Sequence, residues 1–161
     1  MNHLKSLVVV FALFGATVFA APQGDAPKAD APIMITPADV QWGPGSPALP
    51  PGSQSFLMAG NPAKPGPFTL RAKFPADYKV PPHFHPDTET VTVLSGTFYA
   101  STGDSFDPAK GKAMSAGSFV ALPGKMPHFA YTKEETIIQV TAMGPWTLTY
   151  VNAADDPRNK K

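Results

Sequence analysis

The stretch Phe68-Thr69-Leu70-Arg71-Ala72-Lys73-Phe74 alternates apolar with polar side chains from end to end. A period of two puts Phe68, Leu70, Ala72 and Phe74 on one face of an extended chain, which predicts a half-buried β-strand. The alternation returns where Glu89, Val91 and Val93 interleave with Thr88, Thr90 and Thr92, and Gly96 closes that run. Further strands are expected at Thr97–Ser101, Ser118–Leu122, His128–Thr132, Thr136–Met143 and Trp146–Val151. Turn signals separate them at Gly103-Asp104, Pro108, Gly111, Pro123-Gly124 and Gly144-Pro145. The one helical turn expected lies near Pro108–Lys112. Short strands at this spacing imply an all-β fold, an antiparallel sandwich or barrel.

Composition agrees. A chain of 161 residues suits one domain with an extension, and 20 Pro, 13 Gly and 16% charged residues disfavour a helical bundle. The formal net charge is +1 and no Lys/Arg run occurs, which argues against nucleic acid as the main partner. The chain has no Cys, so thiol catalysis, thiolate metal sites and disulfides are excluded together.

The first residues read as an address. Lys5 precedes an apolar run from Leu7 to Phe19, and Val18 and Ala20 sit at −3 and −1 of a cleavage before Ala21. This predicts a signal peptide over 1–20, a secreted or periplasmic destination and no stable membrane association afterwards. Residues 21–32 are a Pro/Ala-rich stretch with nothing to bury, expected as a flexible spacer. Residues 33–67 stay turn-rich but carry apolar groups. They predict an arm packing on the barrel, with short strands near Ile33–Ile35 and Ser55–Met58. The barrel core is expected over 68–152 and a polar, solvated tail over 153–161.

Chemistry rests on histidine. Of four His, His3 lies in the leader, leaving His83, His85 and His128. On an extended backbone, residues two apart share a face and stand roughly 6.6 Å apart along the chain, which describes His83 and His85. Glu89 shares their parity and leads the inward set with Val91 and Val93. A carboxylate aligned with apolar inward positions needs its charge compensated, and a divalent metal held with the two His would do that. Three imidazoles and one carboxylate suit Fe, Mn, Ni, Cu, Zn or Co better than Ca or Mg.

The segment His83-Phe-His85-Pro-Asp-Thr-Glu89, followed by Gly96, resembles the first motif of the cupin superfamily. Gly117, Pro123 and His128 resemble its second. The resemblance covers roughly Phe68 to Val151. It implies a single jelly-roll β-barrel holding a transition metal on His83, His85, Glu89 and His128, and often a homodimer. Three positions depart from the family pattern: Asp77 and Lys125 replace glycines, and Thr132 replaces an Asn.

Members of the superfamily include dioxygenases, decarboxylases, isomerases and lyases, and also storage, sugar-binding and regulatory proteins. The leading expectation is a metal-dependent enzyme acting on a small oxygenated molecule by direct coordination. The alternative is a non-catalytic binder of a small ligand, with the metal as anchor. Among the aromatics, Phe98, Tyr99 and Trp146 are candidates for the pocket wall, while Phe84, Phe119, Phe129 and Tyr131 are expected in the core or rim. No catalytic acid or base is assigned. Tyr99, Tyr131 and Asp104 qualify by residue type alone.

Overall fold

Alternating burial along the chain builds two sheets. The computed structural model describes residues 31–160, so the expected leader and the spacer up to residue 30 lie outside the described residues. Every strand falls within the unit Ile33–Lys161. In chain order the strands are β1 (Gly43–Pro44), β2 (Gln54–Ala59), β3 (Gly66–Phe74), β4 (Lys79–Phe84), β5 (Glu89–Ser95) and β6 (Thr97–Thr102). They continue with β7 (Lys112–Ser115), β8 (Phe119–Leu122), β9 (His128–Thr132), β10 (Thr136–Gly144) and β11 (Thr149–Tyr150). Among the described residues no helix is long and apolar enough to cross a membrane.

One sheet runs β1-β2-β3-β10-β5-β8 and the other β11-β4-β9-β6-β7, with antiparallel pairing throughout. This is the antiparallel jelly-roll barrel. The core joins Phe74, Val91, Val93, Ile138 and Val140 of the first sheet to Val80, Phe98, Ala100 and Ala130 of the second. Phe74 stacks on Tyr78 at 5.0 Å and on Phe98 at 6.3 Å between ring centroids. Offset aromatic pairs of this kind add about 0.5–1.5 kcal/mol each beyond area burial.

Several local expectations need correction. Ile33–Ile35 forms no strand, and Ile33 and Met34 are 66% and 85% exposed, because nothing pairs with them. The rest of the arm supplies β1 and β2, which extend the six-stranded sheet beyond β3. β4 was not expected. Pro81 and Pro82 offer no N–H to a ladder, and pairing with β9 skips from Val80 to His83. Trp146–Val151 shortens to the two residues of β11. Phe119 is 62% exposed, since it starts an edge strand and not the core.

The tail beyond Asn152 is ordered into two 3-10 turns. Asn152 and Asp156 cap them by accepting from Ala154 N and Arg158 N, and Arg158 Nη2 donates to the Leu148 carbonyl at 3.0 Å.

The three departures from the family pattern keep the backbone shape by other means. Asp77 and Lys125 hold φ of 59° and 63°, the left-handed region that glycine enters most easily. Thr132 is buried, donates to the Pro75 carbonyl at 2.7 Å and accepts from Tyr78 N at 3.3 Å, fixing the turn that leads into β4.

Candidate metal centre

Strand register assembles the site. His83 lies in β4 directly opposite His128, the first residue of β9. His85 follows the end of β4, and the turn from Pro86 to Thr88 returns the chain at Glu89, the first residue of β5. Gly124 sits against that turn: a Cβ built there would lie 2.6 Å from the Pro86 carbonyl oxygen and 2.9 Å from Asp87 Cα. Lys125 N donates to the His85 carbonyl at 2.7 Å. The loop before His128 is thereby seated on the loop that separates His85 from Glu89.

All four residues are buried, none more than 7% exposed. Candidate donor atoms of His83, His85 and His128 lie within 4.8 Å of one another. Glu89 Oε2 stands 3.5 Å from Nε2 of both His85 and His128. That is too long for a good N–H···O bond. Two ligands each about 2.1 Å from one ion, at tetrahedral angles, stand about 3.4 Å apart.

The proton positions follow from the backbone. Nδ1 of His83, His85 and His128 lies 2.7, 2.8 and 2.9 Å from the carbonyls of Pro81, Thr147 and Met126. A carbonyl only accepts, so each Nδ1 carries the hydrogen, and a neutral ring then bears its lone pair on Nε2. Burial holds His83 well below its ordinary value near 6.5, with the neighbouring imidazoles of His128 and His85 acting in the same direction. Burial also lowers His85, against the opposing pull of Glu89 and the Thr147 carbonyl. His128 Nε2 is buried with no hydrogen-bond partner. An orphaned buried lone pair beside a buried carboxylate is costly without an electrophile. The residues therefore fit a divalent transition metal, with the Nδ1–carbonyl bonds orienting the rings as outer contacts do around metal-ligating His.

The cluster lines a cavity of about 430 Å³. Phe98 and Trp146 line it. Trp146 stacks on His85 at 4.2 Å and 13° and meets Phe68 edge-on at 5.5 Å. Tyr99 is not among the lining residues. Its parity is opposite to that of Phe98 and Ala100, and it stacks on Tyr131 at 4.7 Å with the Lys133 ammonium over its ring. Tyr131 donates to the Pro108 carbonyl, and Asp104 is exposed; neither lines the cavity.

Sequence reading missed two parts of the wall. The arm segment Pro44–Leu49 lines the cavity, clipped by the Tyr150 hydroxyl donating to the Ala48 carbonyl at 2.8 Å and by the Tyr78 hydroxyl donating to Pro50. The apolar pair Ala48-Leu49 inside a Pro-rich run was the available signal. Arg158 also lines it, and nothing in a polar tail marked that residue.

Two antiparallel sheets enclosing three convergent imidazoles define the cupin class. The profile of the ChrR cupin-like domain matches residues 30–147, more than half of the chain. The protein belongs to this family of the cupin superfamily. The fold is similar to the polyketide cyclase RemF of Streptomyces resistomycificus, with TM-score 0.60 and 18% identity over 77% of this chain and 88% of that one. A putative acetylacetone dioxygenase of Methylibium petroleiphilum is similar at TM-score 0.60 and 20% identity, covering 81% of this chain and 88% of its own. KdgF of a Halomonas species reaches TM-score 0.51 at 17% identity, covering 69% and 93%. At these identities the likeness is one of fold. No curated protein sequence matches the chain.

Proposed function

We propose that the protein is an exported metal-dependent enzyme that binds a divalent transition metal on His83, His85, Glu89 and His128 and acts on a small oxygenated molecule. One observation carries this reading. Three rings are fixed by backbone carbonyls with their Nε2 atoms available, beside a buried carboxylate, in the wall of a cavity. A divalent transition metal held by these residues would supply Lewis acidity toward a carbonyl or hydroxyl oxygen, water or dioxygen. The chain's own contribution is to hold that chemistry in a dry, shaped space. His85 is braced by Trp146, the Leu122, Val91 and Val140 side chains exclude water, and Glu89 is the one carboxylate on the lining. Two structural neighbours carry names that point to carbonyl-bearing compounds, acetylacetone and polyketides, which supports this substrate class.

A second reading has its own support. Apart from the four cluster residues and Arg158, the lining holds no Asp, Glu, Lys, His or Tyr. No acid or base stands free of the metal centre, as in a binder that uses the metal as an anchor. A substrate panel separates the two readings, with oxygen uptake and product analysis on metal-loaded protein. Turnover that disappears in His128→Ala supports the enzyme. Ligand-dependent thermal stabilisation without turnover on any member replaces it with the binder.

A further inference from the structure

Among the described residues the cavity wall carries one Lys or Arg, Arg158. It belongs to the tail, beyond residues 30–147 that the family profile matches, so it is a feature of this chain and not of the profile. Three contacts fix its guanidinium. Nε and Nη2 donate to the Asp156 carboxylate at 2.8 and 2.7 Å, and Nη2 also donates to the Leu148 carbonyl at 3.0 Å. Both hydrogens of Nη2 are thereby used, and Nη1 keeps two N–H groups without a partner among the described residues. The side chain is 44% exposed, so a ligand entering from solvent can reach it.

The same stretch of backbone ties this group to the metal centre. The Thr147 carbonyl accepts from His85 Nδ1 at 2.8 Å, and the next carbonyl, that of Leu148, holds the guanidinium. Adjacent residues are 3.8 Å apart at Cα, which keeps Arg158 Nη2 within about 11 Å of His85 Nδ1. Two more side chains on the wall have unused hydrogen-bonding capacity, Gln54 of β2 and Thr147 itself.

Charge points the same way. With a divalent ion in place, Glu89, the one carboxylate on the lining, offsets half of the ion's charge, and Asp156 offsets Arg158. One positive charge is left over, which favours a ligand carrying a single negative charge. A carboxylate meets that condition, whereas a phosphate dianion would bring one charge too many.

We infer that Arg158 Nη1 binds a carboxylate of the substrate while a carbonyl or hydroxyl oxygen of the same molecule goes to the metal centre. Gln54 and Thr147 are free to bond its remaining oxygens. The substrate class is then a small oxo or hydroxy carboxylic acid, which specifies the site proposed above and so rests on that reading.

The test is calorimetry on the cobalt(II)-loaded protein. The probes are methyl-ketone acids with two to five methylenes between ketone and carboxylate, each paired with its methyl ester, which keeps the ketone and loses the charge. At least one acid is expected to bind about fivefold more tightly than its ester, a modest factor because the guanidinium is partly in water. Arg158→Gln should bring that acid down to the affinity of its ester and leave the ester unchanged, and Arg158→Lys should keep part of the preference. A purely structural role for Arg158 would weaken acid and ester alike. That outcome, the absence of saturable binding by any acid, equal affinity of acid and ester, or a preference that survives Arg158→Gln each overturns the inference. Metal analysis of the same samples separates the two proposals. Protein that retains cobalt and gives any of these results defeats this inference alone. Protein that shows the Arg158-dependent preference yet retains no cobalt defeats the metal reading alone.

Discussion

His83 and His128 face each other across the β4–β9 ladder, their ring centroids 4.2 Å apart. Directly opposed residues on adjacent antiparallel strands bring their Cβ atoms within about 5.5 Å, so two donors on one ion need no loop to position them. The strands fix half of the proposed ligand set by register, and the Pro86–Thr88 turn supplies the other half.

Removing one of the opposed pair should therefore empty the site without unfolding the barrel. His128→Ala is expected to lower metal affinity by more than about 100-fold, beyond what loss of an outer contact costs. Elemental analysis after dialysis checks the metal, and far-ultraviolet circular dichroism checks the fold. A folded variant with full metal content would show that His128 is not a ligand.

The metal-free protein should lose stability in mild acid. Burial holds folded His83 well below 6.5, whereas in the unfolded chain it titrates near 6.5. Between those values the unfolded state binds more protons, so stability rises with pH. The contribution is complete above about pH 6.5 and is lost as pH falls below it, at up to about 1.4 kcal/mol per pH unit for one proton. Burial of His85 adds in the same direction. Urea melts of metal-free protein at about pH 7.5 and pH 5 read the effect, and His83→Gln should reduce the difference. Equal pH dependence in both proteins would contradict it.

How much of this was legible depended on whether a residue's role is local. The Phe68–Phe74 and Glu89–Val93 alternations are two-residue patterns, and burial along β3 and β5 follows them. The parity linking His83, His85 and Glu89 was equally local, and the structure brings those three together with His128. Non-local roles were hidden. β4 has two prolines and becomes a strand only because β9 and β11 flank it. The arm is a cavity wall only because two distant tyrosine hydroxyls, Tyr150 of β11 and Tyr78 of the turn before β4, clip it. Tyr99 and Phe98 are neighbours in sequence, and their opposite parity decides which one lines the cavity.

The contact between the two motif loops offers a further test. A methyl at Gly124 would collide with the backbone of Pro86 and Asp87, which cannot rotate away as a side chain could. Gly124→Ala should cost about 1–3 kcal/mol. It should also weaken metal binding several-fold by displacing Glu89 relative to His85. Chemical denaturation and a competitive chelator titration give the two numbers. A variant with unchanged values in both would show that the loops do not set the ligand spacing.

The claim on which the account turns is that four side chains from β4, its following turn, β5 and β9 share one ion. X-ray absorption of the cobalt(II)-loaded protein reads that inner shell directly. The account predicts three imidazole nitrogens and one carboxylate oxygen, with the imidazole signature reduced to two in His128→Ala. A shell made of water oxygens with one imidazole or none would contradict it.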